Sequence, residues 1–219
     1  MEHECRHQCL IYEGSPSEQL PSLAAMIRRK LDEGHRCLYL NSRPMVAGMR
    51  SYLSATGIDV VQEIAKASLV LSSDPSVSSD GDFNVDVMLH RLEDALEQAL
   101  DDGYKGILCT GDMTYEFGPR KDFSKLMEYE WRLEDLFRKR QEIFGICQYH
   151  RDSLPHEATR QALLTHRELF INETLSRINP HFIPSRPADI HDAKNRALDE
   201  MIGTLCQLQN RKSGSQASI

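Results

Sequence analysis

Apolar positions along the chain alternate between short continuous runs and longer stretches with helical spacing. Cys9–Tyr12, Cys37–Leu40, Ile107–Cys109 and Phe144–Tyr149 are short apolar runs bounded by turn residues, the pattern of buried strands. Between them, Leu20, Leu23, Ala24, Ile27 and Leu31 share one helical face, as do Val85, Met88, Leu89, Leu92, Leu96 and Ala99. Gly34, Gly57 and Gly103 follow three of the predicted helices, where C-terminal caps favour glycine. Ser15 and Glu18 have capping-box spacing at the first helix, and Pro21 must then fall in its first turn. Ser42 with Pro44 opens the second helix, and Asp82 or Asn84 is placed to cap the helix that contains Val85.

Weaker signals complete the chain. Asp59–Val61, Ser68–Leu71 and Leu169–Ile171 read as short strands, and His156–Thr165 as a helix. Ser72–Asp82 is polar and rich in Ser, Pro and Gly, so it reads as a lid or a plain linker. Asn179–Pro187 holds three prolines and is expected to be irregular. A last helix over about Ala188–Leu208 carries Ile190, Ala193, Ala197, Met201, Leu205 and Leu208 on one stripe, and 211–219 is expected to be a disordered tail. Alternating strands and helices predict an α/β fold with a mostly parallel sheet, whose strand exits (Tyr12, Thr110–Asp112, Tyr149–His150) face a ligand crevice.

Charge and composition narrow the function. The net charge of −7, from 33 acidic and 26 basic residues, opposes direct nucleic-acid binding. No apolar run reaches the ~20 residues of a membrane span, and the first residues lack a signal peptide's apolar core. Six cysteines without CxxC pairing and without a secretory signal read as reduced thiols, which together predicts a cytoplasmic protein.

The candidate chemistry centres on Gly106–Glu116. Asp112 ends an apolar strand at the crevice, either as a functional carboxylate or as a turn cap. Glu116 lies four residues on and Tyr115 supplies an aromatic wall. Glu130 falls inside the apolar stripe formed by Phe123, Leu126, Met127, Leu133 and Phe137 on a helix expected over Pro119–Arg140. A carboxylate there must be paired or protonated, as a structural anchor or as a pocket residue. Tyr12, Tyr149 and His150 complete the candidate ligand-binding set.

Phosphate loops of either common kind are absent. The first strand-to-helix turn, Glu13–Glu18, has one glycine, no lysine and two glutamates, so no nucleotide cofactor is expected. His7, Cys9, Cys147, His150 and His166 invite a metal, but His7 and Cys9 open their strand whereas His150 ends its own. They are not expected to meet, and thiols filling a core explain the cysteines more simply; no metal is predicted.

Several of these residues carry a resemblance. His7-x-Cys9-Leu10-Ile11-Tyr12, Gly103-Tyr104, Gly111-Asp112-Met113-Thr114-Tyr115, Tyr129-Glu130, Cys147-Gln148-Tyr149 and His166 resemble, in order and spacing, the MEDS domain of methanogen and methylotroph proteins and a dichloromethane-responsive regulator. The match spans about residues 7–170; Tyr115 stands where Trp is expected. The resemblance implies a three-layer RecA-like sandwich without a phosphate loop, with His7, Cys9, Cys147 and His166 as core motif residues. It implies a sensory domain at 1–172, followed by an irregular segment and helix at 173–210. It further implies a non-catalytic role: binding a small, hydrocarbon-derived molecule and signalling to a transcriptional regulator or histidine kinase. A homodimer through the C-terminal helix is a further expectation. The alternatives are an enzyme using Asp112, Glu116, Glu130 and His150, or a scaffold with a vestigial crevice.

Overall fold

The computed structural model describes residues 6–74, 83–116, 123–183 and 198–207. Seven strands form one sheet: β1 (His7–Tyr12), β2 (Arg36–Leu40), β3 (Leu69–Ser72), β4 (Ile107–Asp112), β5 (Ile143–His150), β6 (Glu168–Asn172) and β7 (Leu175–Ile178). Their order is β3-β2-β4-β5-β1-β6-β7, parallel except for the last pair. The helices are α1 (Leu20–Asp32), α2 (Arg43–Ala55), α3 (Val60–Ala65), α4 (Val85–Asp101), α5 (Met113–Glu116), α6 (Leu126–Lys139) and α7 (His156–Thr165), with a last helix at 198–207. This is the three-layer α/β architecture expected.

Alternation along the strands sorts the core into two layers. On one face, Cys9, Ile11, Ile107, Cys109, Cys147 and Tyr149 pack under α4, α6, α7 and the last helix. On the other, Leu10, Tyr12, Cys37, Tyr39, Leu108 and Ile146 pack under α1 and α2. Both faces are apolar because both are covered, which is why the strands read as continuous runs rather than alternating ones. Met201 and Leu205 of the last stripe turn inward onto the first layer, and Leu198, Ile202 and Cys206 are buried beside them.

Local chemistry accounts for the differences from expectation. Asp59–Val61 is no strand: the Asp59 carboxylate accepts from the Gln62 amide at 3.0 Å and starts α3, leaving Val61 exposed. An N-cap outweighs the β preference of two valines. Ser15 caps nothing with its side chain; Pro16–Gln19 form a 3₁₀ turn and α1 begins at Leu20, with Pro21 in its first turn as required. Asn84 caps α4 by accepting from Val87 N at 3.1 Å. The helix sought from Pro119 begins in the described residues as a 3₁₀ turn at Phe123–Lys125. The sheet runs on past residue 172 into β7, an antiparallel edge strand whose residues are all exposed and so carry no alternation. Of the stretch Ser72–Asp82, read as a lid or a plain linker, residues 75–82 lie outside the described residues, as do 184–197 and 208–219 with the start of the last predicted helix and the tail. Among the described residues no helix is long and apolar enough to cross a membrane.

Candidate functional site

Tyr12, Asp112 and His150 gather at the exits of β1, β4 and β5, where the ligand crevice is expected. Asp112 ends β4 and is 7% exposed; its Oδ1 accepts from Thr114 N at 2.8 Å and Tyr115 N at 3.3 Å, capping α5. The Tyr12 hydroxyl reaches its Oδ2 at 3.5 Å. Burial raises the Asp112 pKa above the usual carboxylate value, against the capping amides that lower it. Burial, and then the Asp112 charge, raises that of Tyr12 as well. Tyr12 stacks on His150 with ring centroids 5.0 Å apart. His150 is held locally, with Nδ1 at 2.5 Å from Ser153 Oγ and Nε2 at 2.9 Å from Gly14 O. Tyr115 stands half-buried on α5 at the rim; of Glu116 only the backbone is described.

The turn after β1 is closed by carboxylates. Gly14, at φ 81°, donates its amide to Asp152 at 2.9 Å, and Glu13 pairs with Arg151 at 2.9 Å. Arg151 also stands near Cys206 on the last helix, close enough for each to shift the other's ionisation. A phosphate entering this turn would find its amide taken and two acids beside it.

Glu130 and Tyr149 do not join this crevice. Side chains of Tyr12 and Asp112 point to the α1/α2 face, whereas Tyr149, two residues from Cys147, points to the α6 face. Glu130 is fully buried there, as its place in the apolar stripe predicts. Its Oε1 accepts from the Tyr149 hydroxyl, and its Oε2 lies 3.4 Å from both His7 Nε2 and His166 Nε2. Cys147 Sγ is 3.6 Å from His7 Nε2 and 3.7 Å from Glu130 Oε2. His7, Cys147 and His166 therefore do meet, contrary to the separation expected from their strand positions; the partner is Glu130, not His150. Cys9 lies in the same layer but offers no atom to the cluster.

The sheet explains the convergence. β1 and β5 run parallel with His7 opposite Gly145, and the glycine leaves room for the Phe137 ring that lies over His7. The two ring centroids are 4.8 Å apart. His166 follows α7 directly and its Nδ1 donates to Ala162 O at 2.8 Å, while His7 Nδ1 lies 3.1 Å from Glu134 Oε2. Burial disfavours a charge on His7, but Glu130 and Glu134 outweigh it and raise its pKa to about 9. Burial, then the His7 charge, lowers that of His166 to about 4. Burial opposes ionisation of Glu130, yet the two imidazoles hold it below the usual range. Burial followed by the Glu130 charge pushes the Cys147 thiol well up.

Two cavities adjoin these groups. One of about 500 Å³ opens at the strand starts, away from the crevice, between Arg6, Gln8, Lys30, Phe144 and the β6–β7 turn. The other, about 30 Å³ and apolar, is lined by Met88, Cys109, Met113, Leu133 and Cys147.

No curated protein matches the chain. Among solved structures it is similar to the flagellar accessory protein FlaH from Methanocaldococcus jannaschii, at 12% identity and TM-score 0.48, covering 74% of this chain and 69% of that one. It is also similar to the KaiC-like protein PH0186 from Pyrococcus horikoshii OT3, at 14% identity and TM-score 0.49, covering 74% and 70%. The family model for the MEthanogen/methylotroph, DcmR Sensory domain matches residues 6–167, and the chain belongs to this MEDS family of sensory domains.

Proposed function

We propose that the chain is a non-catalytic sensory domain that takes a small organic ligand at the exits of β1, β4 and β5. Its output passes through the last helix to a transcriptional or two-component regulator. The observation that carries this reading is Arg151, which bonds Glu13 at the strand exits and stands near Cys206 on the last helix. A ligand that displaces Glu13 or the 150–153 turn must disturb that tie, so crevice occupancy biases the helix.

The ligand is not a phosphate ester. Glu13 and Asp152 repel it, and the Gly14 amide is already bonded. Tyr12 and Asp112, both biased toward their protonated forms, suit a small neutral molecule with one polar end, which fits a hydrocarbon derivative. An enzyme built on Asp112, Glu130 and His150 lacks a shared site, because the sheet lies between Glu130 and the other two.

The test is a thermal-shift and calorimetric screen of the full chain against magnesium nucleotides, halogenated one-carbon compounds and small organic acids. A non-nucleotide ligand, bound without turnover and weakened by Tyr12→Phe, supports the reading. Turnover, or tighter binding of a nucleotide, overturns it. A second reading is favoured by the cavity of about 500 Å³, whose Arg6 and Lys30 suit a small organic anion. In that case Arg6→Ala, and not Tyr12→Phe, abolishes the response.

A further inference from the structure

We propose that His7, Glu130, Cys147 and His166 bind a divalent transition-metal ion between the sheet and α6. The four donor atoms are Nε2 of each histidine, Oε2 of Glu130 and Sγ of Cys147, and all lie within 4.8 Å of one another. The closest pairs stand at 3.4, 3.4, 3.6 and 3.7 Å. Bonds of about 2.0–2.3 Å in a tetrahedral site place ligand atoms roughly 3.3–3.8 Å apart, so four of the six pairs already stand at that spacing and the widest closes by about 1 Å on binding.

The surroundings aim these atoms inward. His166 Nδ1 donates to a backbone carbonyl and His7 Nδ1 to Glu134, which leaves both Nε2 lone pairs turned toward the centre. The Tyr149 hydroxyl occupies Oε1 of Glu130, leaving Oε2 to the centre. The ligands come from β1, α6, β5 and the segment before β6, all rigid elements, and are nearly or fully buried.

A proton shared by His7 and Glu130 also reduces the repulsion among these groups, but it does not satisfy His166. The His166 Nε2 atom is buried with no hydrogen-bond partner among the described residues, and it faces a carboxylate oxygen at 3.4 Å. With Nδ1 bonded to a carbonyl, Nε2 is an acceptor facing an acceptor. A cation between them removes that conflict. Two imidazoles, one carboxylate and one thiolate form a borderline donor set, which suits Zn²⁺, Co²⁺ or Fe²⁺ rather than Mg²⁺ or Ca²⁺. The thiolate and carboxylate balance the dication in a site closed to water. This inference is independent of the crevice reading.

The experiment is titration of the chelator-treated full chain with Co²⁺, followed by Zn²⁺ competition. One equivalent of Co²⁺ is expected to give intense tetrahedral ligand-field bands and a thiolate-to-cobalt charge-transfer band, both lost on adding Zn²⁺. Cys147→Ser removes the charge-transfer band, and His166→Gln lowers affinity. Glu134→Gln, which touches only the far side of His7, lowers affinity about 10–100-fold and keeps the proposal testable should the ligand variants fail to fold. Exposed His90→Ala leaves the titration unchanged. Weak octahedral bands, no saturable binding, or full binding by folded Cys147→Ser, His166→Gln and Glu134→Gln chains would overturn the proposal.

Discussion

Replacing Glu130 with alanine probes the buried layer most sharply. The carboxylate is 0% exposed, accepts from the Tyr149 hydroxyl and faces two imidazoles at 3.4 Å. Its loss orphans the hydroxyl of a fully buried tyrosine, about 1–3 kcal/mol. It also strips His7 of its main counter-charge, and breaking a buried pair from one side costs about 3–5 kcal/mol. The two effects share atoms and do not add. The expected loss is therefore about 3–5 kcal/mol, a large part of the roughly 5–15 kcal/mol that holds a domain folded. The assay is equilibrium urea unfolding near neutral pH with excess chelator, so that no bound ion contributes. Glu128→Ala on the same helix, whose side chain is 46% exposed, should shift stability by no more than about 0.5 kcal/mol. Glu130→Gln keeps an acceptor for Tyr149 and offers a donor to His166, so it should lose less than the alanine variant. A Glu130→Ala loss below about 1 kcal/mol would refute the claim that this carboxylate anchors the layer.

Other perturbations separate the layers. A Cβ on Gly145 would meet the Phe137 ring at 2.5 Å, so Gly145→Ala should push Phe137 off His7 and destabilise by about 1–3 kcal/mol, read by urea unfolding. Asp112 has a raised folded pKa, so its contribution is fullest below its ordinary value of 3.8 and is lost as pH rises through the higher folded value. Asp112→Asn keeps the α5 cap and should flatten that part of the stability-pH curve; an unchanged curve contradicts the burial argument. Glu33 behaves oppositely. Burial raises its pKa, but Lys30 and Arg29 outweigh that and lower it, so its stabilisation is present above the ordinary value of 4.5 and fades in acid. Glu33→Gln should remove this acid-side loss in a pH-stability series.

Much of the fold was legible because both sheet faces are covered. The strands then stand out as apolar runs, and the helices between them as stripes ended by Gly34, Gly57 and Gly103. What failed was local or exposed: Asp59 turned two valines into a helix, and β7 is wholly exposed. The candidate site was only half legible. Glu130 betrayed its burial by its place in a stripe. His7, Cys147 and His166 invite a metal by residue type, but positions 7, 130, 147 and 166 have no close spacing. Their meeting depends on β1 lying beside β5 in a register that sets His7 against Gly145, and on α6 crossing over both. Strand order is a long-range outcome that periodicity does not contain. The same alternation puts Asp112 and Glu130, both candidates for one ligand site, on opposite faces of the sheet.

The central claim is that crevice occupancy is passed to the last helix through Arg151. Hydrogen exchange of the full chain, with and without the tightest ligand from the screen, tests it most directly. The account predicts altered protection at 12–15, 150–153 and 198–207 together, with the change at 198–207 lost in Arg151→Ala while binding persists. Protection changes confined to the crevice, or a response at 198–207 that survives Arg151→Ala, would contradict it.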